Sequence, residues 1–292
     1  MQYYLGFDLG GSSLKIGIVT DEATVVHHEK APVPDNFEGL MQLMADTYHR
    51  LKADWDIRGI GISSCGCIDP DNGRVGGWMA PAATFLIGRQ YYDLCKLVDV
   101  PVRAEKDSCA AALGEIWAGG ASDYQSFLTL VLGSGQGGAV FLDGKLYRGA
   151  HFLAGDMGYV APTLDGPGYS ALTAPVPYEH RYFKETGRHL SCSDMYVHRE
   201  GDPVAARLWN EFITNLAHFC VQMQFTFDPQ AIFIGGGISG WPPFIPLLQE
   251  QIDKELAAWG CDFNRAEVHA CSGGNDANLL GAVYGLKQKY GI

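Results

Sequence analysis

Three glycine-rich turns constrain this chain most, because each one follows a short apolar segment with strand character. They are Gly10-Gly11-Ser12-Ser13, Gly133 to Gly138, and Gly235-Gly236-Gly237. Glycine has no Cβ and tolerates positive φ, so such a turn brings backbone N–H groups close to anionic oxygens. One turn of this kind is equally typical of a tight hairpin. Three in one chain favour a site for the phosphates of a nucleotide.

Short apolar strands alternate with longer helical segments, which predicts α/β layers. Each half has two strands joined by a glycine-rich turn, so we expect a duplicated fold with a cleft between its halves. The expected domains are 1–117, joined by the C-terminal helix 277–292, and a larger domain over 118–276. Predicted strands are Tyr3 to Phe7, Leu14 to Val19, Ile57 to Ser63, Phe127 to Leu132, one through Val140 and Phe141, and Ala231 to Ile234. Predicted helices are Phe37 to Lys52, Ser108 to Trp117, one from past Pro243 to Trp259, and Ala277 to Lys287.

Composition excludes several classes of protein. A formal net charge of -12 over 292 residues leaves no basic stripe for a phosphate backbone, so no nucleic-acid partner is expected. No run approaches the roughly 18 apolar residues of a membrane helix, and the N-terminus lacks the pattern of a signal peptide. We therefore expect a cytoplasmic protein without a membrane role. The pair Cys65 and Cys67 has two interpretations, a metal or redox site or simple loop thiols.

The three turns divide the expected contacts to ATP and Mg²⁺. Asp8 precedes the first turn and is a candidate to hold Mg²⁺ through water, since carboxylate oxygen suits that ion. The second turn is expected to bind the β- and γ-phosphates, and the third the adenosine or the α-phosphate. The candidate residues are Asp8, Gly10, Gly11, Ser12 and Lys15 at the first turn, Gly133, Ser134, Gly135 and Gly137 at the second, and Gly235, Gly236 and Gly237 at the third.

Asp107 lies at a predicted strand-to-helix junction. Transfer of a phosphoryl group to a hydroxyl needs a carboxylate within hydrogen-bond reach of the hydroxyl proton. The alternative is that Asp107 only caps the following helix, a role for which Asp is well suited. In combination with the glycine turns, catalysis is the favoured interpretation.

The chain resembles the ROK (repressor, open reading frame, kinase) group of sugar kinases over nearly its whole length. The motifs that carry this resemblance are D-L-G-G-S-S from Asp8, E-K-D-S-C from Glu105, G-S-G-Q-G-G-A-V from Gly133, G-K-L-Y-R-G-A-H-F-L-A-G-D-M-G-Y from Gly144, I-F-I-G-G-G-I-S from Ile232, and N-D-A-N-L-L-G-A from Asn275. The resemblance implies an actin/hexokinase-like (ribonuclease H-like) fold, two domains that close over a sugar and MgATP, and Asp107 as the base. A homodimer is an expectation from the resemblance alone.

The departures from the family fall on the sugar side. Lys106 stands where the family has asparagine, and it is either directed at the substrate or a solvated surface lysine. Asp156 and Tyr159 stand in place of the family's sugar-binding glutamate and its zinc-binding histidine, and Gly66 completes the substrate-binding candidates. The cysteine-rich zinc segment is missing from Val160 to Ser191, so we expect no zinc site and a loop held by packing of Tyr169 and Tyr178. This pattern is similar to the β-glucoside kinase-like branch.

Three functions are compatible with these features. The favoured one is an ATP-dependent carbohydrate kinase that acts on a sugar or glycoside. The second is a regulatory protein that binds sugar or nucleotide but has weak turnover, as the changes at Lys106, Asp156 and Tyr159 would allow. The third, an actin-like ATPase, is disfavoured by the sugar-side resemblance over Gly149 to Gly158.

Overall fold

A computed structural model describes residues 1–10, 13–77, 81–261 and 265–292, with the side chains of 81, 82 and 275 excepted. The chain forms two compact units. Unit 1 comprises Met1–Ser122, Gly149–Leu153 and Asn275–Ile292, and unit 2 comprises Asp123–Arg148 and Ala154–Gly274. Relative to the predicted domains, unit 1 also contains residues 118–122, 149–153 and 275–276.

The strands and helices are as follows. In chain order the strands are β1 (Tyr3–Leu9), β2 (Ser13–Thr20), β3 (Val25–Pro32), β4 (Ile57–Ser64), β5 (Cys67–Ile68), β6 (Val75–Gly76), β7 (Val102–Lys106), β8 (Phe127–Leu132), β9 (Gln136–Leu142), β10 (Lys145–Tyr147), β11 (Ala231–Gly235) and β12 (Glu267–Ala270). The α-helices are α1 (Phe37–Leu51), α2 (Asp107–Ala118), α3 (Tyr169–Thr173), α4 (Pro175–Thr186), α5 (Cys192–His198), α6 (Pro203–Phe227), α7 (Phe244–Ala258) and α8 (Ala277–Tyr290). Short 3-10 helices cover Pro81–Leu86, Tyr91–Lys96, Met157–Tyr159, Gly237–Gly240 and Gly274–Asp276.

Unit 1 is built on a five-stranded sheet in the order β3-β2-β1-β4-β7. β1, β2 and β3 are antiparallel neighbours, whereas β4 and β7 run parallel to β1. Helix α8 lies very close to this sheet, since a Cβ added at Gly61 would stand 2.5 Å from the carbonyl carbon of Ala282. Its other side meets α2, where a Cβ at Gly281 would stand 1.6 Å from the carbonyl oxygen of Ala110. Glycine on both contact surfaces therefore fixes the position of α8.

Unit 2 contains the second five-stranded sheet, in the order β10-β9-β8-β11-β12. Its core is packed by the 25-residue helix α6, which begins after an Asp202 cap and has Pro203 at its first position. The Asp202 carboxylate accepts hydrogen bonds from the N–H groups of Val204 (3.0 Å) and Ala205 (3.1 Å). Both features are typical of a helix start, because they satisfy or remove N–H groups that have no intrahelical acceptor.

The two sheets have the same order. In each, a hairpin-connected antiparallel set of three strands is followed by two strands parallel to its first strand, β1 in unit 1 and β8 in unit 2. This repetition confirms the predicted duplicated α/β fold. The predicted bounds of β8 match the observed ones, and those of β1, β2, β4, α1, α2, α7 and α8 differ by a few residues at most.

The sequence did not predict β3, β10, β12 or any helix between residues 169 and 227. β3 reads V-V-H-H-E-K-A-P at the edge of its sheet, where every second side chain is exposed. Its apolar signal is therefore weak, as is usual for an edge strand. Within the described residues, no helix has both the length and the apolar character needed to cross a bilayer.

Candidate active site

Asp8 lies near the carboxyl end of β1 and is 5% exposed. Its Oδ1 accepts hydrogen bonds from Ser63 Oγ (2.9 Å) and Asn278 Nδ2 (3.0 Å), and its Oδ2 lies 3.3 Å from Lys15 Nζ. Lys15 is the register partner of Asp8 across the β1–β2 hairpin. These contacts supply hydrogen-bond partners and an opposite charge to a buried carboxylate. Four lone-pair positions are available on a carboxylate, so the three donors leave room for a water molecule.

Two of these partners, Ser63 and Asn278, were not among the predicted site residues. Ser63 comes from the end of β4, the parallel neighbour of β1, and is the register partner of Asp8. Asn278 comes from the first turn of α8, 270 residues later in the chain. Asn278 lies within the motif N-D-A-N, which carried the family resemblance without a role for this side chain. The motif was therefore visible in the sequence, but only the fold shows that Asn278 contacts Asp8.

Asp107 is the first residue of α2, directly after β7. Its carboxylate is partly buried, and its Oδ1 accepts a hydrogen bond from the N–H of Ser108 (2.6 Å). The cap position of the helix is occupied by Lys106 and not by Asp107. Asp107 thus lies inside the first turn, at the positive end of the helix dipole.

Asp8 and Asp107 belong to the same edge of the unit 1 sheet. Asp8 is in register with Ser63 of β4, and the following residue Ser64 is in register with Lys106 of β7. Since neighbouring strands lie about 4.8 Å apart, the backbones at Asp8 and Lys106 are on the order of 10 Å apart. The carboxyl edge of parallel strands is the usual position of a ligand in open α/β sheets.

Lys106 is 5% exposed, so the interpretation as a solvated surface lysine is wrong. It is the last residue of β7, which also carries the buried pair of Arg103 and Glu105. Arg103 Nε and Nη2 donate to one oxygen of Glu105, at 2.8 and 2.6 Å. Lysine is rarely buried without a partner because desolvation of its ammonium is costly. The burial therefore indicates that this side chain has a partner within the protein.

The turn Cys65-Gly66-Cys67 follows β4 at the same edge, and Gly66 has a φ of 94°. Burial, with the Asp107 carboxylate as a smaller cause, raises the pKa of the Cys65 thiol. Cys65 is therefore close to Asp107 and remains a neutral thiol at physiological pH. Among the described residues no group of three His, Cys, Asp or Glu side chains has the arrangement of a metal site. The two thiols thus have no further ligands in the described part of the chain.

In unit 2 the second and third glycine turns lie against each other. Gly236 has a φ of 96°, and a Cβ at this position would stand 1.9 Å from the carbonyl oxygen of Leu132. The second turn is a tight hairpin between β8 and β9, closed by a hydrogen bond from Gly133 N–H to the Gly135 carbonyl (3.0 Å). Only glycine at 236 allows the end of β11 to approach the end of β8 this closely.

A cavity of about 290 Å³ opens beside these two turns. Its charged side chain is Glu179, whose Oε1 accepts from the backbone N–H of Cys192 (3.2 Å). Burial raises the pKa of the Cys192 thiol, which donates to the Pro175 carbonyl (3.4 Å) and stays neutral. The wall is therefore mainly uncharged, as in most small-molecule sites. The lining residues are Leu132, Gly133, Pro175, Val176, Glu179, Ser191, Cys192, Ser193, Gly237 and Ile238.

Asp156 caps the short 3-10 helix Met157–Tyr159 of unit 2, and Tyr159 is the last residue of that helix. Asp156 is partly buried, and Tyr159 is 63% exposed. Gly158 between them packs on β9, since a Cβ there would stand 2.3 Å from the carbonyl oxygen of Gln136. The family-derived substrate candidates of unit 2 thus lie two residues before and one residue after a tightly packed backbone position.

The predicted site residues divide between the units. Unit 1 holds Asp8, Gly10, Lys15, Gly66, Lys106 and Asp107, and unit 2 holds the second and third turns with Asp156 and Tyr159. Gly11 and Ser12, which were also predicted to bind phosphate, lie outside the described residues. His180, His189 and His198 are exposed on unit 2.

The sequence model of the ROK family matches residues 4–289. The chain belongs to the ROK family. It is 35% identical to a β-glucoside kinase of Klebsiella pneumoniae, over 97% of this chain and 96% of that protein. It is 31% identical to a β-glucoside kinase of Listeria innocua, over 97% of both chains. These relatives confirm the predicted family and its β-glucoside kinase-like branch.

A solved ROK structure has the same fold. A ROK family protein from Streptococcus pneumoniae in complex with sucrose superposes with a TM-score of 0.88 at 25% identity and covers 99% of both chains. The predicted actin/hexokinase-like fold class is thereby confirmed. The segment over 160–191 was predicted to be a loop, but it contains α3 and α4, so that prediction is wrong. Tyr169 packs against Phe219 and Tyr178 against Phe212, with ring centroids 4.6 and 5.4 Å apart. Packing by these two tyrosines was predicted from the sequence.

Proposed function

We propose that this protein transfers the γ-phosphoryl group of ATP to a hydroxyl of a sugar or glycoside, with Asp107 as the general base. Relatives named β-glucoside kinase and a solved relative crystallised with sucrose support a carbohydrate acceptor. The observation that carries the proposal is the position of two carboxylates, Asp8 and Asp107, two strands apart at one edge of the unit 1 sheet. Phosphoryl transfer needs both a metal-directed carboxylate and a base.

Asp8 is assigned to the metal. Its buried carboxylate is oriented by Ser63, Asn278 and Lys15, and its remaining lone pair suits a water-mediated contact. A Mg²⁺ ion bound there would neutralise charge on the phosphate oxygens of the nucleotide. Lys15 balances the Asp8 charge and, being 42% exposed, also has its ammonium within reach of solvent and ligand.

The nucleotide is assigned to the glycine turns of unit 2. Backbone N–H groups of the turn from Gly133 to Gly137 would donate to the β- and γ-phosphates, as in other glycine-rich anion sites. The cavity of about 290 Å³ next to Gly237 would take the adenosine. Its apolar residues Pro175, Val176 and Ile238 would contact the faces of the base.

Asp107 is assigned to the acceptor hydroxyl. Its carboxylate would accept the hydroxyl proton as the new O–P bond forms, and ADP would leave with the electrons of the broken bond. Lys106, with its buried ammonium, and Gly66, in the adjoining turn, are assigned to the acceptor on unit 1. Asp156 and Tyr159 are assigned to it on unit 2.

The test is Asp107→Asn in an ADP-release assay with ATP, Mg²⁺ and a panel of hexoses, N-acetylated sugars and β-glucosides. Asparagine keeps an oxygen that can accept from Ser108 N–H but cannot take a proton, so kcat should fall by roughly 10²- to 10⁴-fold. Nucleotide affinity and thermal stability should stay close to those of the parent. The matched control is Asp54→Asn, an exposed aspartate of unit 1.

Undiminished turnover in Asp107→Asn would remove Asp107 from the mechanism. A parent protein that binds a sugar but releases no ADP with any acceptor would instead favour the regulatory alternative. The regulatory alternative is supported by Lys106, because a buried lysine replaces the family's asparagine directly before the proposed base.

A further inference from the structure

Unit 1 contains a cavity of about 490 Å³ beside the edge of its sheet. β2 and β3 form one wall of the cavity, and the start of α8 forms the other. A cavity of this volume is large enough for a small organic molecule. Its lining residues, all of unit 1, are Lys15, Ile16, His28, Glu29, Lys30, Asp276 and Leu279.

Two lysines stand opposite each other in the wall formed by the strands. Lys15 and Lys30 are register partners in the antiparallel pair of β2 and β3, so their side chains lie on one face of the sheet with Cβ atoms about 5 Å apart. Gly17 lies on the same face, and a Cβ added there would stand 2.9 Å from Leu279 Cδ1 of α8. Like charges directly opposite each other destabilise a strand pair. An exception of this kind to the pairing rules is typical of a functional site.

The acids that line the cavity are engaged elsewhere. Both carboxylate oxygens of Asp276 lie close to His28 Nε2, at 3.0 and 3.1 Å. Glu29 precedes Lys30 in β3, so its side chain lies on the opposite face of the sheet. There it accepts a hydrogen bond from Arg50 Nη1 (2.9 Å), which lowers the pKa of Glu29 to about 2. Neither acid therefore neutralises Lys30.

Lys30 and Lys15 differ in their own contacts. Within the part of the chain that the structure describes, the Lys30 ammonium makes neither a hydrogen bond nor an ion pair. Lys15 Nζ lies 3.3 Å from Asp8 Oδ2, which is longer than the usual charge-assisted hydrogen bond, and its side chain is 42% exposed. The Lys15 ammonium can thus also reach a ligand in the cavity. In a chain with a formal net charge of -12, two adjacent lysines of this kind favour an anionic ligand.

We propose that this cavity binds a phosphate group, free or as a monoester, between the ammonium groups of Lys15 and Lys30. A phosphate dianion offsets the repulsion between the two lysines and accepts hydrogen bonds from both. Leu279, which is 1% exposed, gives the cavity an apolar base against which the organic part of a monoester would lie. Such binding needs no phosphoryl transfer, so it stands or falls independently of the kinase function.

The test is calorimetric titration of inorganic phosphate and of glycerol 3-phosphate into the protein loaded with a non-hydrolysable ATP analogue and Mg²⁺. The analogue occupies the nucleotide turns, and glycerol 3-phosphate has no sugar ring for the acceptor site. Lys30→Gln removes one ammonium from an exposed position of an edge strand and should lower the affinity for both probes about tenfold or more. Lys30→Arg keeps the charge and should bind both probes like the parent. The matched control is Lys96→Gln, at a lysine of unit 1 whose side chain is 77% exposed, and it should also bind like the parent.

The same titrations distinguish the two sources of phosphate. Tighter binding of glycerol 3-phosphate than of inorganic phosphate would assign the cavity to a monoester, and equal affinities would assign it to free phosphate. Absence of phosphate binding by the loaded parent protein would overturn the proposal. So would affinities that are the same in the parent and in Lys30→Gln.

A melting experiment tests the repulsion between the two lysines. Lys30→Glu places an acid opposite Lys15, and opposite charges favour a strand pair, so this variant should melt at or above the temperature of the parent without phosphate. With the ATP analogue present in both samples, phosphate should raise the melting temperature of the parent and not that of Lys30→Glu, because a ligand stabilises only the protein that binds it. An equal rise in both proteins would place the phosphate elsewhere and contradict the assignment.

Discussion

Lys106 precedes the proposed base and replaces an asparagine of the family motif, and its burial was not evident from the sequence. The side chain of a residue at the end of a predicted strand points either to solvent or to the interior. Periodicity needs several positions, so the sequence alone does not tell which direction Lys106 takes. The partners of Asp8 show the same limit. Asp8 itself was predicted from the glycine turn, whereas Ser63 and Asn278 lie 55 and 270 residues away and meet it only through the pairing of β4 and the packing of α8.

The prediction at this scale is that Lys106→Asn changes substrate selectivity and little else. A buried ammonium beside the acceptor site can donate to a hydroxyl or attract an anionic group, whereas asparagine both donates and accepts. We expect the ratio of kcat/KM between acidic and neutral sugars to fall about tenfold in the variant, with ATP affinity unchanged. The control is Lys96→Asn, whose side chain is 77% exposed. Identical ratios in parent and variant would remove Lys106 from substrate choice.

At the scale of elements, apolar periodicity predicted the core strands and the first and last helices of the chain. It could not predict how closely they pack. Glycine inside a strand usually indicates a weak strand or a bulge, and glycine inside a helix usually lowers its stability. Gly61 in β4 and Gly281 in α8 instead lie where two elements contact each other closely. Each faces backbone of the neighbouring element, and that neighbour is distant in sequence. The same packing brings the start of α8, with Asn278, to the carboxylate of Asp8.

We therefore predict that Gly61→Ala destabilises unit 1 and weakens the Mg²⁺ site together. The added Cβ would stand 2.5 Å from the Ala282 backbone, so α8 must shift. Overpacking of this kind costs about 1–3 kcal/mol of unfolding free energy, measurable by urea titration. A shift of α8 also moves Asn278, so a higher Mg²⁺ concentration should be needed for half-maximal activity. Gly201→Ala should change neither quantity, and a stable Gly61→Ala protein with normal Mg²⁺ dependence would contradict this account.

At the scale of the whole molecule, the repeated strand–turn–strand pattern predicted the duplication, because both sheets begin with that motif. The helical layer of unit 2 was missed. Helices α3, α4 and α5 are short, and prolines and glycines interrupt the segment before α6, so no long period stands out. Their packing depends on aromatic contacts between segments. Tyr169 donates to Gln222, and Tyr178 donates to the Leu172 carbonyl (2.8 Å) and accepts from Asn215 (2.9 Å).

These contacts lead to the prediction that unit 2 is stabilised by aromatic packing and needs no zinc. Tyr178 is fully buried, so Tyr178→Ala should cost about 3–5 kcal/mol and lower the melting temperature by several degrees. Tyr147→Ala, at a tyrosine that is 54% exposed, should leave it almost unchanged. Incubation with a chelator should not shift the melting curve, and elemental analysis of the purified protein should find no stoichiometric zinc. One tightly bound zinc per chain, with a melting temperature that falls on chelation, would mean that residues outside this aromatic cluster hold α3 and α4 in place.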